Sequence, residues 1–159
     1  MSSVETKYFG AVSAETGVVI EFPAGLPAFE RERLFLAIEH PRTEPFVLLQ
    51  SMCTRELCFL ALPVSAVEPA YRLQMSDEDL DALQLDRAAN QVSAEDIAAL
   101  ALVVVGPDGR MSANLMSPVV VNRRNRRAIQ SVRWDGAYAH NHPVELPVLA
   151  AGTEGPLCS

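Results

Sequence analysis

The sequence predicts a mostly β protein: one antiparallel, barrel-like domain with one or two short helices. Three observations support this. Short runs rich in β-branched, aromatic and aliphatic residues are separated by turn residues at close intervals, as in antiparallel sheets. The intervals leave little room for the crossover helices that parallel strands require. Within Arg33–Ile38 and Leu100–Val105 the apolar residues are unbroken, which suits strands covered on both faces. With 159 residues the chain fits one domain, assigned to residues 1–145, with a flexible tail at 146–159 where Pro, Gly and small residues dominate.

In chain order, strands are expected at Glu5–Val12, Gly17–Phe22, Arg33–Ile38, Phe46–Gln50, Leu57–Leu62 and Ala70–Gln74. Others follow at Ile97–Val105, Arg110–Asn114, Pro118–Asn122 and Ala128–Arg133. Ser76 can cap a helix from Asp77 to about Leu83, with Asp79 at the capping-box position and carboxylates in the positive first turn. Ser93 and Asp96 repeat the signal, but the valine run beyond them favours a single turn leading into a strand. Pro107–Gly109 reads as a hairpin turn. The Arg123–Arg127 run, RRNRR, reads as a charged hairpin loop.

The most informative stretch is FPAGLPAFE, Phe22 to Glu30. Pro23 and Pro27 fix φ and donate no hydrogen bond, and Gly25 can adopt a left-handed conformation, so neither helix nor central strand can use it. Its apolar members either plug a core from a turn or form a rigid sticky surface. Phe22 and Phe29 are read as core plugs, with Leu26 poised between the two roles.

Composition excludes several functions. A formal net charge of -7 disfavours a broad nucleic-acid footprint and favours basic partners. Acids crowd Ser76–Asp96 and arginines crowd Arg123–Arg133, which predicts faces of opposite sign. The three cysteines show no zinc or redox spacing; Cys53 and Cys58 read as small core thiols in a reducing cytoplasm. His140, His142 and Glu145 make only a partial metal set, and no cofactor is implied. With no nucleophile elbow and no Walker lysine, Lys7 being the only lysine, an enzyme is not expected. The start is not a signal peptide and no run is long enough to span a membrane, so the reading is a soluble, cytoplasmic protein without membrane or small-molecule partners. The alternative is a nucleic-acid-binding module using the 123–127 arginines, although no stacking aromatics are interleaved with them.

Six segments occur in one order: TKYFG at 6–10, FPAGLPAFE at 22–30, PFVLLQS at 45–51, Tyr71 followed by MSDEDL at 75–80, SANLMSPVVVN at 112–122, and Arg127 with Gln130. In these the chain resembles the family of the flagellar assembly factor FliW. The resemblance implies a non-enzymatic, chaperone-like protein that binds the helical C-terminal region of flagellin and, in competition, the regulator CsrA, lifting CsrA repression of flagellin translation. Candidate contact residues are Phe22, Pro23, Leu26, Pro27 and Phe29 in the loop, Phe46, Gln50 and Tyr71, the acids Asp77, Glu78 and Asp79, and Asn114 and Asn122. The asparagines have a competing role, bonding to backbone at turns. Two positions depart from the family pattern: Ala28 stands where glycine is usual, and Arg72 where an acid is common.

Overall fold

A computed structural model describes residues 3–8, 10–13, 17–41, 43–85 and 96–145. The first two strands, β1 (Ser3–Thr6) and β2 (Gly10–Ser13), form an antiparallel hairpin. A single strand over Glu5–Val12 is therefore not what forms: Gly10 takes φ +67° and lets the chain double back. The main sheet comprises β3 (Val18–Glu21), β4 (Leu34–Glu39), β5 (Val47–Ser51), β6 (Cys58–Pro63), β7 (Ile97–Val105), β8 (Met111–Ala113), β9 (Val119–Asn122), β10 (Ala128–Gln130) and β11 (His142–Pro143). Neighbours run β10-β9-β7-β6-β5-β4-β3, every ladder antiparallel. The nine-residue β7 pairs with β6 on one edge and divides the other between β9 and β8, and β11 extends β8. The sheet rolls without closing as a barrel; its two end strands meet at one parallel bridge, Glu21 to Arg127, where the Glu21 N–H donates to the Arg126 carbonyl at 2.9 Å.

Period-two alternation sorts the strands into an inside and an outside. The inside holds Ile20, Phe22, Leu26, Phe35, Val47, Leu49, Ala61, Leu100, Val119, Val121 and Ala128 as one cluster. Outward residues are buried as well, because other segments cover them. Tyr8 and Val12 of the β1–β2 hairpin region pack on Leu36, Ile38 and Leu48. The helix α2 (Asp77–Leu83) sets Leu83 against Ile97 and Val120. A short helix, α1 (Val64–Val67), and Tyr138 cover Leu62, Ala101 and Leu115. This double covering is why β4 and β7 read as unbroken apolar runs.

The α2 start forms as expected: the Ser76 hydroxyl accepts from Asp79 N–H at 3.1 Å and the Asp79 carboxylate accepts from Ser76 N–H at 3.4 Å. Gly109 at φ +82° closes the β7–β8 hairpin, and Arg123–Arg126 turns β9 into β10. The strand expected over Ala70–Gln74 is absent. Its alternation is real, since Tyr71 and Leu73 pack inward, but no strand among the described residues pairs with it; the Arg72 N–H donates to the Tyr138 hydroxyl at 3.1 Å instead of joining a ladder. Ser93 and the 146–159 tail lie outside the described residues.

Candidate partner-binding site

The loop from Phe22 to Arg33 seals one end of the rolled sheet. It is held by its own backbone: Phe22 N–H donates to Arg33 O at 2.7 Å, Gly25 N–H to Phe22 O at 2.9 Å, and Phe29 N–H to Leu26 O at 2.7 Å. Phe22 and Leu26 are buried as plugs, Phe22 completely so and edge-on to Phe35 with centroids 5.4 Å apart. Phe29 does not plug the core. It stays 39% exposed and leans edge-on against Phe59 at 5.6 Å, leaving Pro27 and Phe29 facing solvent.

Ala28 occupies φ +71°, the left-handed conformation that its Cβ disfavours by about 1–2 kcal/mol. Ala28→Gly should therefore raise stability, by about 0.5–1 kcal/mol after the extra freedom glycine gains in the unfolded chain. A chemical-denaturation midpoint equal to or below that of the parent would contradict this account.

Of the other candidates, Phe46, Gln50 and Asn122 are buried, as are Phe22 and Leu26. Gln50 accepts from Lys7 N–H at 2.8 Å and donates to the carbonyls of Arg55 at 2.9 Å and Ser51 at 3.1 Å, fastening the β5–β6 turn. Asn114 accepts from the N–H groups of Met116 and Ser117 at 3.1 and 3.0 Å, an Asx turn. Asn122 donates to Leu83 O at 2.8 Å and accepts from Arg124 N–H at 2.9 Å. Pro23 and Asp79 are half-buried, and Asp79 also accepts from the Ser131 hydroxyl at 2.6 Å. Asp77 and Glu78 are exposed on the first turn of α2, at a different place from the loop. Cys53 stands exposed in the β5–β6 turn instead of in a core, while Cys58 is half-buried.

Tyr71 marks a cluster that sequence reading largely missed. Its hydroxyl donates to Leu115 O at 2.8 Å, its ring lies 4.3 Å from that of Tyr138, and the Arg133 guanidinium covers both rings at 5.6 and 4.8 Å. Arg133 also donates to Arg72 O and pairs with Asp135 at 2.5 Å. Burial pushes the Tyr71 hydroxyl up, with Arg133 opposing, and the hydrogen bond from Arg133 holds the Asp135 carboxyl below its ordinary range. Beside this cluster Trp134 projects into solvent, 90% exposed. A carboxylate with a lowered pKa stabilises the fold above the unfolded value and loses that contribution as pH falls through the folded one. The melting temperature of Asp135→Asn should thus lie below the parent's at neutral pH, and the gap should close on the acid side of the carboxylate range; a gap independent of pH would exclude the pairing.

The end of the sheet opposite the plug is open. A cavity of about 720 Å3 lies among the termini of β3, β4, β5, β6, β7 and β9, floored by Ile20, Val47, Leu100 and Val121 and edged by Val18, Glu39, Pro45, Pro63, Arg123 and Arg126. The arginine run at its edge also builds structure. With Asn122, Asn125 and Arg127 it caps the α2 C-terminus: Asn125 donates to Leu83 O at 3.2 Å and Arg127 Nε to Ala82 O at 3.0 Å. Arg124 pairs with Asp96 at 3.4 Å, and Arg123 Nε donates to Ile97 O at 3.1 Å. No sequence pattern marks this mouth, because its residues meet only when strand ends from the whole chain converge.

A rolled antiparallel sheet, plugged at one end and hollow at the other, with apolar and acidic side chains displayed outside, defines a class of small single-domain β protein built around its surfaces. The same architecture occurs in the crystal structure of a flagellar assembly factor FliW, with a TM-score of 0.77 and 26% identity covering 91% of this chain and 98% of that one. The FliW protein family model matches residues 3–144. Flagellar assembly factors FliW from Syntrophomonas wolfei and Bacillus licheniformis are each 31% identical, over 92% and 89% of this chain and 90% and 95% of their own lengths. The chain belongs to the FliW family of flagellar assembly factors.

Proposed function

We propose that this protein is a non-enzymatic partner switch in the cytoplasm, binding flagellin and, in competition with it, the translational regulator CsrA. When flagellin is scarce the protein holds CsrA and relieves repression of flagellin translation; when flagellin accumulates it takes the protein and frees CsrA. The reading is carried by the family match through residues 3–144, and two surface features support it. Solvent-facing Pro27 and Phe29 sit on a hydrogen-bonded loop and Trp134 stands exposed beside the Arg133 cluster, the kind of apolar anchor that dominates protein interfaces. A chain of net charge -7 with Asp77 and Glu78 exposed on one helix turn attracts a basic regulator. Within the 123–127 run, Asn125 and Arg127 cap the end of α2 and Arg124 pairs with Asp96, roles that need no nucleic acid.

The test is a titration by calorimetry. The purified protein should form a stoichiometric complex with flagellin and with CsrA separately, and adding flagellin to the preformed CsrA complex should release CsrA. Absence of both complexes at micromolar concentrations would end this reading; two complexes that coexist without displacement would end the switch.

A further inference from the structure

We infer that the open mouth of the sheet is the seat of flagellin, receiving an amphipathic segment whose apolar side chains enter the hollow and whose carboxylate meets Arg123 and Arg126. This rests on the reading of flagellin as partner. The floor of the hollow is apolar: Ile20, Val47, Leu100 and Val121 are inward members of their strands' alternation, at the end away from the plug, with Val18 exposed at the lip. Its volume of about 720 Å3 lies within the usual span of ligand sites, roughly 300–1,000 Å3.

Charge chooses the occupant. Of the four arginines at 123, 124, 126 and 127, Arg124 is paired with Asp96 and Arg127 is bonded to the end of α2. Arg123 spends its Nε on Ile97 O, and neither Arg123 nor Arg126 forms an ion pair among the described residues. An acidic protein thus sets two unneutralised guanidiniums on the lip of its apolar hollow, matching a carboxylate beside aliphatic side chains and repelling a basic partner. Glu39, also lining the mouth, gives it a direction: the anionic end of the segment lies at the arginines. Arg126 holds this place at φ +63°, a conformation that glycine would occupy with less strain.

That strain supplies a clean test. Arg126→Gly removes the guanidinium and relaxes the backbone, so its melting temperature should equal or exceed the parent's, while affinity for monomeric flagellin falls about tenfold with a shallower salt dependence. Val18→Asp, at an exposed position on the lip, should weaken binding similarly by adding a like charge. Anilinonaphthalene sulfonate, an anionic apolar dye, should brighten with the parent and less with either variant, and flagellin should displace it. Parent binding that both variants retain overturns this site while leaving flagellin as a partner. No binding by the parent overturns the site and the partner together. Displacement of the dye by decanoate but not by flagellin assigns the mouth to a small amphiphile and overturns the protein occupant.

Discussion

Phe22→Ala is expected to cost about 3–5 kcal/mol, the range for deleting a fully buried phenylalanine. Phe22 is the stopper of the sheet. It follows β3 directly, has no exposed surface, meets Phe35 edge-on, and shares its cluster with Leu49, Val119 and Ala128 from strands far apart in sequence. Its loss opens a cavity at the closed end that the constrained loop cannot collapse to fill, because Pro23 and Pro27 limit how far the backbone can follow. For a domain of this size the melting temperature should fall by about 6–20 °C. Phe22→Leu should recover part of the loss. A fall of less than about 3 °C for the alanine variant would show that the loop is not a plug.

Gly25→Ala, three residues on, is expected to cost on the order of 3 kcal/mol or more, by a mechanism unrelated to hydrophobic burial. Gly25 adopts φ +70°, and an added Cβ would lie 2.4 Å from the Glu30 carbonyl oxygen and 2.5 Å from its Cα. Both obstacles are backbone, so no rotamer change relieves them. The variant must either open the loop or lift Leu26 from the core. Limited proteolysis between residues 22 and 33 should accelerate, and a protease-resistant loop with an unaltered melting temperature would refute the geometry. Its effect is opposite in sign to Ala28→Gly, although the two positions share one turn and nearly one φ. Cβ carries a penalty in both places, and only at Gly25 does it also strike main chain.

Much of the architecture was legible where local chemistry decides conformation. Ser76 with Asp79 located α2 because a capping box satisfies backbone donors within four residues. Pro107–Gly109 located a hairpin because Gly109 accepts a φ that other residues resist. Phe22 is legible as a plug because an aromatic on an irregular backbone has few places to go except a core. The misreadings share a cause. Ala70–Gln74 alternates like a strand, since one side packs on the body, yet a ladder needs a neighbouring edge and Tyr138 and Arg133 took the backbone groups instead. Phe29 looks like Phe22 in sequence, yet in the folded loop it lies at the surface against Phe59 of β6. Asn114 and Asn122 bond to backbone at turns, the competing role their residue type allows, and Gln50 likewise bonds to carbonyls of its own chain.

By itself the sequence determined the antiparallel β class, the start of α2, the turns, the plug and the absence of a recognisable catalytic motif, because each depends on neighbours a few positions away. Tertiary structure alone decided which aromatic faces water, that Trp134 stands exposed beside the Arg133 cluster, and that Arg123 and Arg126 border a hollow floored by β3, β5, β7 and β9. These features exist only after strands distant in sequence converge, since burial and charge pairing are properties of the assembled surface and not of any short stretch of chain.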